Sequence, residues 1–246
     1  MKDFRIDTLS GDYLIYQPEV GQRYSTDDML TAWMAIKTLE KDPPLRSLDL
    51  GSGLCSVPMI LLWKFPELCG IGIELRENRR DLGLRSLEAN GLKDRFELKA
   101  GDLRDLKLDE KFDLVTSTPP YYTEKEGPVS PHDDKSAARF ELNGSIDDYF
   151  KTAHKHLSEK GTFITVYPYL YRDRVYDSAK KFKMSVNNRV DIIPKMGKPA
   201  LISVYSIGYT CGEEGFSTLA VRAEKGNYTK EYNQARLECG FKFKVQ

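Results

Sequence analysis

Between residues 45 and 117, short strand-like runs alternate with helix-like stretches, and this alternation restricts the fold more than any other feature. The runs are 45–50, 69–74, 95–100 and 112–117, separated by helical patterns at 54–65 and 76–90, the latter stopped by Asn90-Gly91. Apolar strands that alternate with helices pair in parallel and are covered on both faces. The spacing therefore predicts an open α/β sheet. Farther on, a helix is expected at 145–158, ending at Gly161, then a strand at 162–166 and a helix at 172–182. Two late strands, 185–193 and 200–208, flank Pro194-Lys195-Met196-Gly197-Lys198-Pro199, a linker short enough for an antiparallel hairpin. Ahead of the alternation, residues 4–16 read as a small hairpin around Ser10-Gly11-Asp12. A helix starts after Ser25-Thr26-Asp27, with Met29, Leu30, Trp33, Ala35 and Ile36 on its buried side. Residues 1–44 thus form an extension to a core at 45–246, and 246 residues suit a single domain.

The charges balance, 37 basic against 37 acidic, which argues against nucleic-acid binding by bulk attraction but leaves room for a local basic face. Cys55, Cys69, Cys211 and Cys239 have neither paired nor metal-ligand spacing, so reduced thiols and no metal are expected. Residues 1–7 carry acids and no apolar segment, unlike a signal peptide, and runs such as Met59 to Trp63 are too short to span a bilayer. The expected location is intracellular, with the cytoplasm first and an organelle matrix second.

Four features fall at the C-terminal ends of expected strands, where open α/β sheets bind ligands. The first is the loop Asp49-Leu50-Gly51-Ser52-Gly53, whose glycines let backbone approach a ligand at a helix N-terminus. Glu74 follows about 20 residues on, the place from which an acid grips ribose hydroxyls. Asp102 and Leu103 follow the third strand, with Asp102 placed to accept from an adenine amino group. A lone GxG is more often a tight turn and an acid at a strand end more often solvated. The order of the four favours a cofactor site. No pyrophosphate fingerprint is present, and acids suit S-adenosylmethionine (SAM), which carries no phosphate.

The fourth feature is Thr118-Pro119-Pro120-Tyr121-Tyr122. A conjugated amine is a weak nucleophile because its lone pair is delocalised. Two acceptors for its N–H hydrogens redirect that pair towards a methyl donor. In an Asn-Pro-Pro-Tyr turn the Asn amide oxygen and the first proline's carbonyl do this, the prolines stiffen the turn, and the aromatic ring stacks on the base. Here Thr118 ends one bond short of the amide oxygen, about 1.2 Å less reach. Pro-Pro-Tyr as a mere rigid strand exit is the plainer reading, and its position after the Asp113-Leu114-Val115 strand disfavours it.

With these residues the chain resembles the bacterial tRNA methyltransferases that modify the 6-amino group of adenine 37 in a valine tRNA. The resemblance covers nearly the whole chain: Tyr16-Gln17, Arg23 to Trp33, the glycine loop, Gly72 to Leu75, Ala138-Arg139-Phe140-Glu141, the Lys195-Gly197-Lys198 hairpin and Gly226-Asn227-Tyr228-Thr229. The two ends separate this family from the glutamine methyltransferases of release factors, the third candidate. The resemblance implies a Rossmann-like, seven-stranded SAM-dependent methyltransferase fold with an N-terminal hairpin and helix. It implies SAM at Asp49, Gly51, Gly53, Glu74, Asp102 and Leu103, catalysis at Thr118 to Tyr121, and tRNA as partner. Cys55 stands where the family has a third glycine. Arg23, Tyr122, Arg139, Lys195 and Lys198 are the expected RNA contacts, although single loop lysines are usually just solvated. Because Thr118 departs from the pattern, the alternative is a catalytically silent RNA-binding or ribosome-assembly factor on the same fold.

Overall fold

The structure, a computed structural model, describes residues 4–121, 144–210 and 212–242. The chain opens with an antiparallel hairpin, β1 (Phe4–Thr8) and β2 (Leu14–Pro18). Helix α1 (Thr26–Leu39) follows. Its start is set by a capping box: Ser25 takes the N-cap position, and the Asp28 carboxylate accepts from the Ser25 N–H at 2.8 Å. From Met29 to Ile36 every residue of α1 is buried, so this helix lies inside the protein rather than on it.

The alternation then appears as β3 (Arg46–Leu50), α2 (Ser56–Lys64), β4 (Cys69–Glu74), α3 (Glu77–Ala89), β5 (Phe96–Ala100) and β6 (Phe112–Ser117). After the segment outside the described residues come α4 (Ile146–His156), β7 (Leu157–Pro168), α5 (Arg172–Lys181), β8 (Ser185–Ile193) and β9 (Ile202–Gly208). The chain continues with β10 (Gly215–Ala220) and α6 (Lys230–Glu238). One sheet holds eight strands in the order β10-β8-β9-β7-β6-β3-β4-β5. Only β9 runs against the others, paired antiparallel with both β7 and β8. One apolar layer packs α1, α2, α3 and α6 on one face, and a second packs α4 and α5 on the other.

This is the expected α/β architecture with three corrections. The described sheet has eight strands, not seven, because β10 adds to the edge in parallel with β8. A terminal helix, α6, also follows where none was expected. Thirdly, Gly161 does not end a helix. Helix α4 stops at His156 and β7 begins at once, with Gly161 inside the strand. A Cβ there would meet the Phe112 carbonyl oxygen at 2.8 Å, so the glycine permits close backbone approach rather than a turn.

Candidate active site

At the C-terminal edge of the sheet a cavity of about 460 Å³ opens between the ends of β3, β4, β5 and β6 and the first turn of α1. A cavity this size suits a nucleoside-sized ligand. One wall is the glycine loop, where Gly51 and Gly53 have φ of +73° and +53°. The Gly51 and Ser52 N–H groups donate to the Ile73 carbonyl at 3.0 and 2.9 Å, fastening the loop to β4. Gly53 N–H donates to Glu74 Oε2 at 2.7 Å, and Arg76 N–H donates to Oε1 at 2.8 Å. A carboxylate has about four acceptor positions, so Glu74 can clamp the loop and still receive ligand hydroxyls. Cys55 takes the left-handed conformation, φ +62°, that a third glycine would adopt freely. Its buried thiol turns towards Gly83 and away from the cavity. On the far wall, a Cβ on Gly51 would stand 3.2 Å from the Tyr149 hydroxyl, which narrows the mouth.

The lining carries four acids, Asp27, Asp28, Glu74 and Asp102, together with Arg23, Arg76 and Arg79. Asp28 is pushed up to about 6, chiefly by burial, and Asp27 is raised for the same reason, opposed by its hydrogen bond from the Tyr121 hydroxyl. Asp49 lies beneath the loop rather than on the cavity surface and accepts from Thr116 Oγ1 at 2.5 Å. Burial raises it to about 7, and the nearby Asp28 and Glu74 add to the rise. Asp102 lines the cavity beside Gly101 and Leu103, but its carboxylate is held by Arg104, which keeps it below the usual range. Asp27 and Asp28, in the first turn of α1, suit a cationic group on their side of the cavity, such as a sulfonium or an ammonium.

The Thr118-Pro119-Pro120-Tyr121 turn forms the opposite wall. Both prolines are buried, Thr118 is half-buried, and Tyr121 sits edge-on to Tyr167 with centroids 6.1 Å apart. Two groups of expected residues therefore share one cavity: Gly51, Gly53, Glu74, Asp102 and Leu103 on one side, Thr118 to Tyr121 on the other. Arg23 reaches the rim, where its guanidinium donates to the Pro18 and Glu19 carbonyls. Lys195 and Lys198 are exposed on the β8–β9 turn and do not line the cavity. Tyr122 and Arg139 lie outside the described residues.

Sequence reasoning missed Asp27, Asp28, Arg79 and Tyr149, all of which line the cavity. The two acids read as helix-start residues, although a cap needs only one of them. Arg79 and Tyr149 read as ordinary helix positions, and nothing in the pattern marks them. Among the described residues no His, Cys, Asp and Glu group is placed to hold a metal ion.

No protein-family model matches the chain. It is 24% identical over 231 residues to a Bacteroides thetaiotaomicron protein named tRNA1(Val) (adenine(37)-N6)-methyltransferase, spanning 92% of this chain and 93% of that one. A protein of the same name from Actinobacillus succinogenes is 28% identical over 203 residues, spanning 80% and 82% of the two chains. In shape, the chain is similar to a crystal structure from Agrobacterium tumefaciens described as a predicted O-methyltransferase. That match has a TM-score of 0.68 at 16% identity and covers 90% of this chain and all of the other. The likeness in shape establishes the fold, a Rossmann-like methyltransferase fold.

Proposed function

We propose that this protein is a SAM-dependent methyltransferase that acts on the exocyclic 6-amino group of an adenine in tRNA, with adenine 37 of a valine tRNA as the target. The observation that supports the reading is the shared cavity, lined by the glycine loop and Glu74 on one side and by the Pro-Pro-Tyr turn on the other. The names of the two relatives, similar over most of their length, support the target.

In this reading SAM supplies an electrophilic sulfonium methyl and leaves as a neutral thioether. Glu74 holds the ribose, Asp102 and Leu103 flank the adenine, and the Gly51–Gly53 loop admits the methionine end, with Asp49 bracing it from below. The buried acids favour the cofactor's positive charge. The Pro119 carbonyl accepts one N–H of the target amine, Thr118 faces the same amine, and Tyr121 walls the base pocket. An adenine stacked in the RNA must first swing out to reach the cavity. Alignment and preorganised dipoles supply the rate. Arg23, Tyr122, Arg139, Lys195 and Lys198 would grip the RNA. Among the described residues no helix is long and apolar enough to cross a membrane. The proposed place of work, beside tRNA in the cytoplasm, follows from the proposed substrate. The reading takes the chain as one methyltransferase domain.

The test is incubation with unmodified valine tRNA and SAM, followed by nucleoside mass spectrometry. N6-methyladenosine at position 37 is expected. Calorimetric SAM binding without methyl transfer to any tRNA would leave only the cofactor half of the proposal standing.

A further inference from the structure

The first turn of α1 brings two adjacent acids to the cavity, and they serve different walls. Successive helical residues point about 100° apart. Asp28 turns to Ser25, Ser56 and Arg79, on the side of the glycine loop. Asp27 turns to the Pro-Pro-Tyr turn, where its Oδ2 accepts from the Tyr121 hydroxyl. Among the described residues no other side chain donates to Asp27, which is half-buried and lines the cavity. The turn beside it lacks the amide oxygen that an Asn would offer, since Thr118 ends about 1.2 Å short.

We propose that Asp27 is the second hydrogen-bond acceptor for the target amino group, in the role that the first residue of the turn would otherwise fill. The inference rests on the methyltransferase reading above. The Pro119 carbonyl takes one N–H and Asp27 takes the other, both steering the lone pair towards the methyl group. The nitrogen's lone pair forms the new N–C bond as the methyl–sulfur bond breaks with its electron pair left on sulfur, and the nitrogen sheds one N–H proton, which Asp27 receives and then passes to water. A carboxylate is the stronger acceptor, because hydrogen bonds to a charged group exceed those to a neutral hydroxyl. Burial, which holds the Asp27 carboxyl above its ordinary range, suits it to take that proton. Tyr121 fixes the orientation, so helix and turn form one device.

The experiment compares Asp27→Ala, Tyr121→Phe and Asp27→Ala/Thr118→Asn with wild type in single-turnover methylation of valine tRNA, alongside SAM binding by calorimetry. Asp27→Ala is expected to slow transfer about tenfold to a hundredfold, the range for losing a hydrogen bond to a charged group, with SAM affinity falling far less than the rate. Tyr121→Phe, which retains the carboxylate, should cost less, and Thr118→Asn should restore much of the rate lost with Asp27. A readout without cofactor is the binding of an anticodon stem-loop carrying adenine or purine at position 37. Wild type should prefer adenine, and Asp27→Ala should weaken the preference to what the Pro119 carbonyl alone provides. Equal losses in Asp27→Ala and Tyr121→Phe without rescue would reduce Asp27 to a support for the tyrosine and overturn the inference. Unimpaired transfer by Asp27→Ala would overturn it alone, whereas a wild type that methylates no tRNA overturns the methyltransferase reading along with it.

Discussion

Asp28 and Asp49 keep their protons up to about pH 6 and about pH 7 because burial penalises the charged form. A cationic ligand favours the ionised form, so its binding lowers both values and expels protons. SAM affinity is therefore expected to rise as pH goes from about 5.5 to 8, with proton release visible in calorimetry across buffers of different ionisation enthalpy. The sign for folding is opposite. The native state of these two groups binds more protons than the unfolded chain, so the stability they contribute is full near pH 4 and lost as pH rises through 6 to 7. An affinity flat across the range would mean that the acids do not face the ligand's charge. Glu74 gives a second prediction. Glu74→Gln removes the charged acceptor from both the Gly53 and Arg76 N–H groups and turns an amide NH2 towards one of them, at about 1.5–3 kcal/mol of stability. With the loop loosened and the ribose acceptor weakened, SAM affinity should fall about tenfold or more in the same calorimetry. Gly51, Gly53 and Glu74 were legible from sequence because a backbone or position requirement shows up as residue type. Asp27 was not, since an acid after Ser25 already has a sufficient explanation as a helix start.

Helix α1 links local propensity to the site. Its capping box fixes where the first turn begins, and that turn presents Asp27 and Asp28 to the cavity. Ser25→Ala removes the cap side chain and should cost about 0.5–2 kcal/mol in denaturant unfolding, together with weaker SAM binding. An unfolding loss with SAM affinity untouched would separate the cap from the site. The elements that were readable are those with a strong apolar pattern, β3, β4, β6 and the α1 face. Strand β10 escaped because only Leu219 in it is buried and the rest gives no alternation to read. Helix α6 is nine residues long, mostly polar, and buries only Tyr232 and Ala235. In β7, Ser158-Glu159-Lys160-Gly161 resembles a turn. The structure absorbs these residues as an irregularity in the pairing with β6, between Phe112 and Leu114.

At the scale of the whole molecule, the two ends of the chain meet, which no local pattern could reveal. Ser10 Oγ donates to the Cys239 carbonyl at 2.6 Å, Gly11 N–H donates to the Gly240 carbonyl at 2.8 Å, and Trp33 Nε1 donates to Glu238 at 2.8 Å. Trp63, at the end of α2, is wedged between these segments. A Cβ on Gly11 would stand 2.5 Å from its Nε1, and one on Gly240 would stand 2.8 Å from its ring. Helix α2 starts at the glycine loop, so the closure of the chain ends bears on the helix that carries the cofactor wall. Gly240→Ala has two costs, the left-handed conformation at φ +77° and the collision with Trp63. Gly91→Ala has only the first, because at φ +64° nothing lies within 4 Å of its Cβ. Gly91→Ala should therefore lose about 1–2 kcal/mol in denaturant unfolding, and Gly240→Ala about 1–3 kcal/mol more. Equal losses would show that Trp63 yields without cost. The larger loss for Gly240, rescued by Trp63→Phe, would show that the chain ends, the hairpin and α2 share one packed seam behind the cavity.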